Sequence, residues 1–275
     1  MPEVKMVVTD LDGTLLQSDQ SISPADQETL ERLGNLGVCR VAATGRNLFK
    51  VRQVLNINTP FDYVIVSSGA GIMDWKTQKL IQAMSIPAAE TGKIVQFLIS
   101  ENQNFKVSRE LPDNHNFAWW ENYDCPELNR YVAHHRKLGD AVVIDPGKPF
   151  IASQILMFFP RESNQFEIFK EKIQSKFPGL SIIRTTSPLD PGYTWMEIFP
   201  NGVSKAHGIE EICRITGIAR ENTLGIGNDF NDLEMLDFTH HSYVVGNAPE
   251  ELKIKYLISL AHYDDGFSHA VNKHL

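Results

Sequence analysis

Four stretches, far apart in the chain, carry side chains suited to handling a phosphate and a hard cation. In the first, Asp10 and Asp12 directly follow an apolar run, Val4 to Thr9, and precede Gly13-Thr14. Carboxylates placed there would stand at the carboxyl end of a buried strand, where open α/β sheets bind their ligands. A glycine-containing turn can bring both carboxylates and nearby N–H groups around one cation. An ordinary acidic loop is the competing reading, but even taken alone the stretch favours function. The second stretch, Thr44-Gly45-Arg46, ends one strand and opens a helix, offering a hydroxyl and unpaired N–H groups to an anion, although taken singly such a threonine more often only caps its own helix. The third is Lys205, a cation at a helix start, where the macrodipole disfavours it unless an anion is near. The fourth, Gly227-Asn228-Asp229-Phe230-Asn231-Asp232, gathers oxygen-bearing side chains of the kind a hard cation binds.

The elements around these stretches are α/β in pattern. Val4 to Thr9 is short, β-branched and without alternation, as a strand buried on both faces of a parallel sheet would be. Ser23-Pro24 reads as an N-cap with proline in the first turn, and Leu30, Leu33 and Leu36 form one stripe before Gly37. Strands at Val38 to Ala43 and Tyr63 to Val66, with a helix over Arg46 to Leu55, continue the alternation. It resumes at Trp195 to Phe199, with a helix from Ser204 and strands at Thr223 to Ile226 and Tyr243 to Val245. Between them lie helical patterns at Ala88 to Glu101 and Glu162 to Phe177 and strand candidates at Phe105 to Ser108, Ile151 to Phe159 and Leu180 to Thr185. The expected architecture is a doubly wound, mostly parallel, Rossmann-like sheet formed by residues 1–82 and 191–275, with a smaller α+β domain inserted at 83–190.

Composition narrows the function. A chain of 275 residues, 42% hydrophobic and 22% charged, can bury a sizeable core. A formal charge of −8 without a dense basic run argues against nucleic acid as partner. The longest apolar runs are too short to cross a bilayer and the N-terminus lacks a secretory pattern, so a cytoplasmic location is expected. Cys39, Cys125 and Cys213 are scattered and odd in number, which suggests free thiols. A small phosphorylated molecule is the favoured partner, with positive charge supplied locally.

Here the sequence resembles the haloacid dehalogenase (HAD) superfamily, and within it the Cof-type, sugar-phosphatase-like branch. The resemblance rests on Asp10-Leu11-Asp12-Gly13-Thr14-Leu15, Thr44-Gly45-Arg46, Val203-Ser204-Lys205, Asn231-Asp232 and Gly246-Asn247-Ala248-Pro249-Glu250-Glu251-Leu252-Lys253. It spans nearly the whole chain but is weakest in the insert. The distance between Ser68 and Lys205, against the short interval from Thr14 to Thr44, places any lid in the second interval and implies a C2-type cap.

The resemblance implies a Mg²⁺-dependent phosphomonoester hydrolase acting on a small phosphorylated metabolite, with a sugar phosphate as the leading substrate. Asp10 would be the nucleophile, forming an aspartyl phosphate, and Asp12 the acid and then the base. Lys205, Thr44, Gly45, Leu11 and Asn231 would hold the phosphate. Asp10, Asp12 through its carbonyl, and Asn228 or Asp229 would bind the metal, and Asp232 would orient Lys205 or metal-bound water. Like charges 4 Å apart cost about 4 kcal/mol at an effective dielectric of 20, which is what the cation and lysine would offset. Two positions depart from the family pattern: Asn228 stands where Asp is usual, and Ser68 where Asn often precedes Gly-Ala. Two alternatives stay open, a catalytically weak protein that binds or senses a phosphorylated metabolite, and a phosphatase for a nucleotide-like or vitamin-precursor phosphate. The aromatic stretch His115 to Asn122 reads as domain core or contact surface before it reads as a sugar platform, and the pairs His134-His135 and His240-His241 as surface residues.

Overall fold

The computed structural model describes residues 3–275. The chain forms two compact units: the first comprises the residues through Arg46, Lys50–Gln82 and Ser204–Leu275, and the second Asn47–Phe49 and Ala83–Val203.

In the first unit, β1 (Met6–Thr9) leads to α1 (Pro24–Asn35), β2 (Cys39–Ala43), α2 (Leu48–Val54) and β3 (Tyr63–Val66), followed by the strands β4 (Gly71–Asp74) and β5 (Lys79–Ala83). All four residues of β1 are buried, as its lack of alternation predicts for a strand covered on both faces. α1 starts where Ser23 accepts a hydrogen bond from the Asp26 N–H at 3.1 Å, with Pro24 in its first turn. The expected helix over Arg46 to Leu55 is shorter, because Gly45 and Arg46 form a bend before it.

The second unit holds α3 (Ala88–Ser100), β6 (Phe105–Arg109), β7 (Phe117–Trp120), α4 (Pro126–His135), β8 (Ala141–Val143), β9 (Ala152–Pro160), α5 (Gln165–Lys176), β10 (Ser181–Thr186) and β11 (Tyr193–Phe199). Its six strands run in the order β10-β11-β9-β6-β7-β8, antiparallel except for the β7–β8 pair. One face packs Phe105, Val107, Ile155 and Met157 against Ile94 and Leu98 of α3 and Phe169 and Ile173 of α5. The other packs Phe117, Leu156, Phe158 and Trp195 against Leu128, Tyr131 and Val132 of α4. Trp119 joins that second cluster and Trp120 the first, so the aromatic stretch is a core strand. His135 is also buried, stacked on Tyr131 with ring centroids 3.9 Å apart, and not on the surface as its sequence context suggests.

One sequence-based boundary needs correction. Residues from 191 were expected to rejoin the first unit, yet Tyr193–Phe199 pairs with β9 and β10 along its whole length. The chain returns at Ser204.

From there run α6 (Lys205–Thr216), β12 (Thr223–Gly227), α7 (Leu233–Phe238), β13 (His241–Val244), α8 (Glu250–Lys253), β14 (Leu257–Ile258) and α9 (Gly266–Asn272). The eight-stranded sheet has the order β14-β13-β12-β1-β2-β3-β4-β5, parallel from β14 to β3 and antiparallel at β3–β4. Met6 and Val8 pack with Ile209 and Ile212 of α6 and Met235 and Leu236 of α7. On the opposite side α1 and α9 touch each other, α1 also meeting β2 and α9 meeting β12. The strands progress outward from β1 in both directions, so the topological switch lies at β1, between β2 and β12, and its carboxyl end opens at Asp10.

Candidate functional site

The first unit brings Asp10, Lys205 and Asp232 into direct contact. Ser204 caps α6 by accepting from the His207 N–H at 3.1 Å, which fixes Lys205 as the first helical residue. The Lys205 side chain is completely buried, and its Nζ donates to Asp10 Oδ1 at 2.7 Å and Asp232 Oδ1 at 2.6 Å. Asp10 Oδ2 has no hydrogen bond among the described residues. A close backbone approach seats this helix start: a Cβ on Gly69, whose φ is +110°, would lie 2.1 Å from the Ser204 carbonyl oxygen.

Burial pushes the Asp10 carboxyl up, to about 7; Lys205 opposes this, and the nearby Asp232 and Asp12 charges add to it. For Lys205, desolvation favours the neutral amine, but attraction to Asp10 and Asp232 outweighs it and holds the ammonium above its ordinary value. Asp10 is therefore not the freely ionised carboxylate that its residue type suggests. Its charged form depends on cations around it.

Asp232 also organises the fourth stretch. Its second oxygen accepts from the Asn228 and Asp229 N–H groups at 2.8 and 3.1 Å. Asp229 returns the contact by capping the short turn Phe230–Asp232, its side chain accepting from the Asp232 backbone. The Asn228 amide instead lies over Gly13, where a Cβ would stand 2.6 Å from it. Of the two candidates for a metal ligand, Asn228 thus faces the Asp10–Gly13 turn while Asp229 is engaged in the local cap.

Thr44 accepts from the Arg46 N–H at 3.0 Å, and its carbonyl accepts from the Ser68 N–H at 3.0 Å. A Cβ on Gly45 would meet the Ser68 hydroxyl at 3.5 Å and the Asn231 amide at 3.7 Å, so these three positions adjoin. Leu11 is buried, and its carbonyl accepts from the N–H groups of Thr14, Leu15 and Leu16 at 3.3, 3.1 and 2.8 Å. Asp12 is held by Arg46, which donates from Nε to Oδ2 at 2.7 Å and from Nη2 to Oδ1 at 2.5 Å.

Two contacts went unassigned in the sequence reading. One is this Arg46–Asp12 pair, visible there only as part of a Thr-Gly-Arg motif. The other is Asn247, whose amide donates to the Gly13 carbonyl at 2.9 Å and accepts from the His262 N–H at 2.9 Å, tying the C-terminal segment to the Asp10–Gly13 turn. Its signal was the Gly246-Asn247-Ala248-Pro249 stretch, which carried a resemblance but no role.

The donor set fits a hard divalent cation. Two buried carboxylates, Asp10 and Asp232, share one ammonium, which leaves net negative charge out of water, and the surrounding groups offer oxygen.

A family model for haloacid dehalogenase-like hydrolases matches residues 7–271, and the chain belongs to this family. The phosphatase YwpJ of Bacillus subtilis is 26% identical over 301 residues, covering 99% of this chain and all of that protein. The HMP-PP phosphatase of Serratia proteamaculans is 24% identical over 251 residues, covering 90% of this chain and 86% of that one. Among solved structures, a HAD subclass IIB sugar phosphatase superposes with a TM-score of 0.75 at 22% identity, covering 98% of both chains. The protein is an enzyme, a phosphatase of the HAD type.

Proposed function

We propose that the protein hydrolyses a small phosphomonoester in two steps through Asp10, with Mg²⁺ as cofactor and a sugar phosphate as the leading substrate. The observation that carries this reading is the buried Lys205 ammonium bonded to Asp10 Oδ1 at 2.7 Å, beside a second carboxylate oxygen without a hydrogen-bond partner among the described residues. In the first step Asp10 attacks phosphorus, the P–O bond to the alcohol breaks, and Asp12 gives the leaving oxygen its proton. In the second, Asp12 takes a proton from water as that water attacks phosphorus, the bond to Asp10 breaks and phosphate leaves. Thr44, the Gly45 and Leu11 backbone, Asn231 and Lys205 are the phosphate contacts in this scheme. Asp10, the Asp12 carbonyl and Asn228, with Asp229 as the other candidate, would hold Mg²⁺, which when bound supplies charge neutralisation between nucleophile and phosphate.

Relatives named for a sugar phosphate and for HMP-PP support a small-metabolite substrate without choosing between sugar and vitamin-precursor classes. The inserted unit is assigned the role of a C2-type cap selecting substrate. A cytoplasmic location accords with three free cysteines. The test is Mg²⁺-dependent release of phosphate from p-nitrophenyl phosphate and a panel of sugar phosphates, with Asp10→Asn expected to abolish it and keep the fold; turnover by that variant at the wild-type rate contradicts the nucleophile.

Asn228, where an acid is usual, favours a second reading, a weak catalyst that binds a phosphorylated metabolite. That reading requires both wild type and Asn228→Asp to be inert with Mg²⁺ while a sugar phosphate still raises Tm.

A further inference from the structure

The loop that leads from β1 into the first turn of α1 is bonded in order to residues 247–268. Asn247 Nδ2 donates to the Gly13 carbonyl at 2.9 Å, Gln17 Nε2 to the His262 carbonyl at 2.7 Å, the Ser23 hydroxyl to Asp265 Oδ1 at 2.6 Å and the Ser268 hydroxyl to Asp26 Oδ1 at 2.6 Å. The partners ascend together along both segments, so the two run side by side. Of these four bonds, the first is the one made to the turn that carries Asp10 and Asp12. Within that turn the Thr14, Leu15 and Leu16 N–H groups are tied back to the Leu11 carbonyl, whereas the Gly13 carbonyl is held from outside. Gly13 has a φ of +71° and no Cβ, so its backbone freedom is wide and an external bond narrows it. A side chain could not supply that restraint, because a Cβ there would stand 2.6 Å from the Asn228 amide.

The Asn247 amide spans the two segments. Its Oδ1 accepts from the His262 N–H at 2.9 Å, and the Gly246 N–H just before it donates to the Leu260 carbonyl at 3.0 Å. A carbonyl can only accept and a backbone N–H only donate, so these two partners fix which way round the amide stands. Asn247 is itself exposed, where a hydrogen bond exchanges with water and contributes little to overall stability. Its contribution is direction: rotation at Gly13 turns the preceding peptide, and with it the Asp12 carbonyl and carboxylate assigned to the metal and the leaving group. Resting on the phosphatase reading above, we propose that Asn247 is a positioning residue for the reaction, which by holding the Gly13 carbonyl fixes the turn that aims Asp10 and Asp12. Displacing reacting groups by about 1 Å costs up to about a hundredfold in rate, far more than one exposed bond is worth to the fold.

The experiment measures kcat, KM and Tm on the full-length protein with Mg²⁺, using the phosphate ester that the wild type turns over fastest. Asn247→Ala should lower kcat by at least about tenfold and move KM by less than about twofold. Asn247→Asp keeps the oxygen that accepts from His262 but loses the donor to Gly13, and should lose kcat as the alanine does. Ser23→Ala breaks the third bond of the same series and uncaps α1, so it should lower Tm at least as much while kcat stays within about twofold of wild type. Wild-type kcat in either Asn247 variant, a change confined to KM, or an equal loss of kcat in Ser23→Ala overturns the proposal. A readout free of turnover accompanies it: hydrogen exchange in a peptide spanning Asp10 to Leu16 should quicken in Asn247→Ala and not in Ser23→Ala. If the wild type hydrolyses no ester, the phosphatase reading fails, and exchange alone decides whether Asn247 holds the turn, unchanged rates there counting against it.

Discussion

The Lys205 ammonium stands between two carboxylates, 2.7 Å from Asp10 Oδ1 and 2.6 Å from Asp232 Oδ1, with side-chain exposure of 0% for itself and Asp232 and 6% for Asp10. Removing it leaves two buried acids facing each other. Lys205→Met should destabilise the fold by roughly 3–5 kcal/mol and lower kcat by about two orders of magnitude or more. Chemical denaturation and steady-state hydrolysis read the two effects. Adding Asp232→Asn should restore part of the stability but not the rate, because the lost cation is also the one assigned to phosphate; full recovery of both would separate Lys205 from the chemistry.

Asn228 faces the Asp10–Gly13 turn, so Asn228→Asp adds negative charge near two carboxylates that share a single ammonium. In chelator the variant should melt below wild type, and in Mg²⁺ it should gain more Tm, with half-saturating Mg²⁺ lowered by about tenfold. A parallel shift in both conditions would remove Asn228 from the cation's ligands.

The Gly69 backbone presses on Ser204 with φ at +110°. Gly69→Ala must either open that contact or strain it, at a cost of roughly 2–4 kcal/mol, and the opening displaces the start of α6 that carries Lys205. Activity should fall with stability. An alanine variant as stable and active as wild type would show that the helix start is held by other contacts.

A pH effect on stability arises away from this site. Burial alone would raise the Asp62 carboxyl, but hydrogen bonds from Arg40 and Lys76 outweigh burial and hold it below its ordinary value. A folded-state pKa below the unfolded one means that the contribution is complete above the unfolded value and is lost as pH falls through the folded value. Asp62→Asn should therefore cost about 1.5–3 kcal/mol at neutral pH, and the gap to wild type should narrow below about pH 4. Equal destabilisation at pH 3 and pH 7 would contradict the charge assignment.

What could be read from the sequence followed from locality. β1 was legible because four consecutive buried residues, Met6 to Thr9, leave no polar face to hide the pattern, and α1 because Ser23, Pro24 and its leucine stripe act within a few residues of one another. β11 was legible as a strand but not in its partners, since Tyr193 to Phe199 is apolar enough for either sheet and pairing with β9 lies more than thirty residues back in the chain. The stretch that forms β7 reads from sequence as domain core or contact surface without a choice between them, because Phe117 to Trp120 mixes aromatics with polar neighbours, and only the cross-strand contact with β6 shows which side of each ring is covered. The same limit hid the contacts of Arg46 and Asn247. Their partners, Asp12 and Gly13, lie 34 and 234 residues away, and a motif gives residue type without the hydrogen bond that uses it.

The central claim is a covalent one, and the most direct measurement is to trap it. Wild-type protein mixed with substrate and Mg²⁺, quenched in acid during turnover and digested, is predicted to yield a peptide spanning Asp10 heavier by one phosphoryl group, a species absent from Asp10→Asn and discharged by neutral hydroxylamine. Burst-free turnover with no phosphorylated peptide at any time point, or a phosphoryl group found on a peptide lacking Asp10, would contradict it.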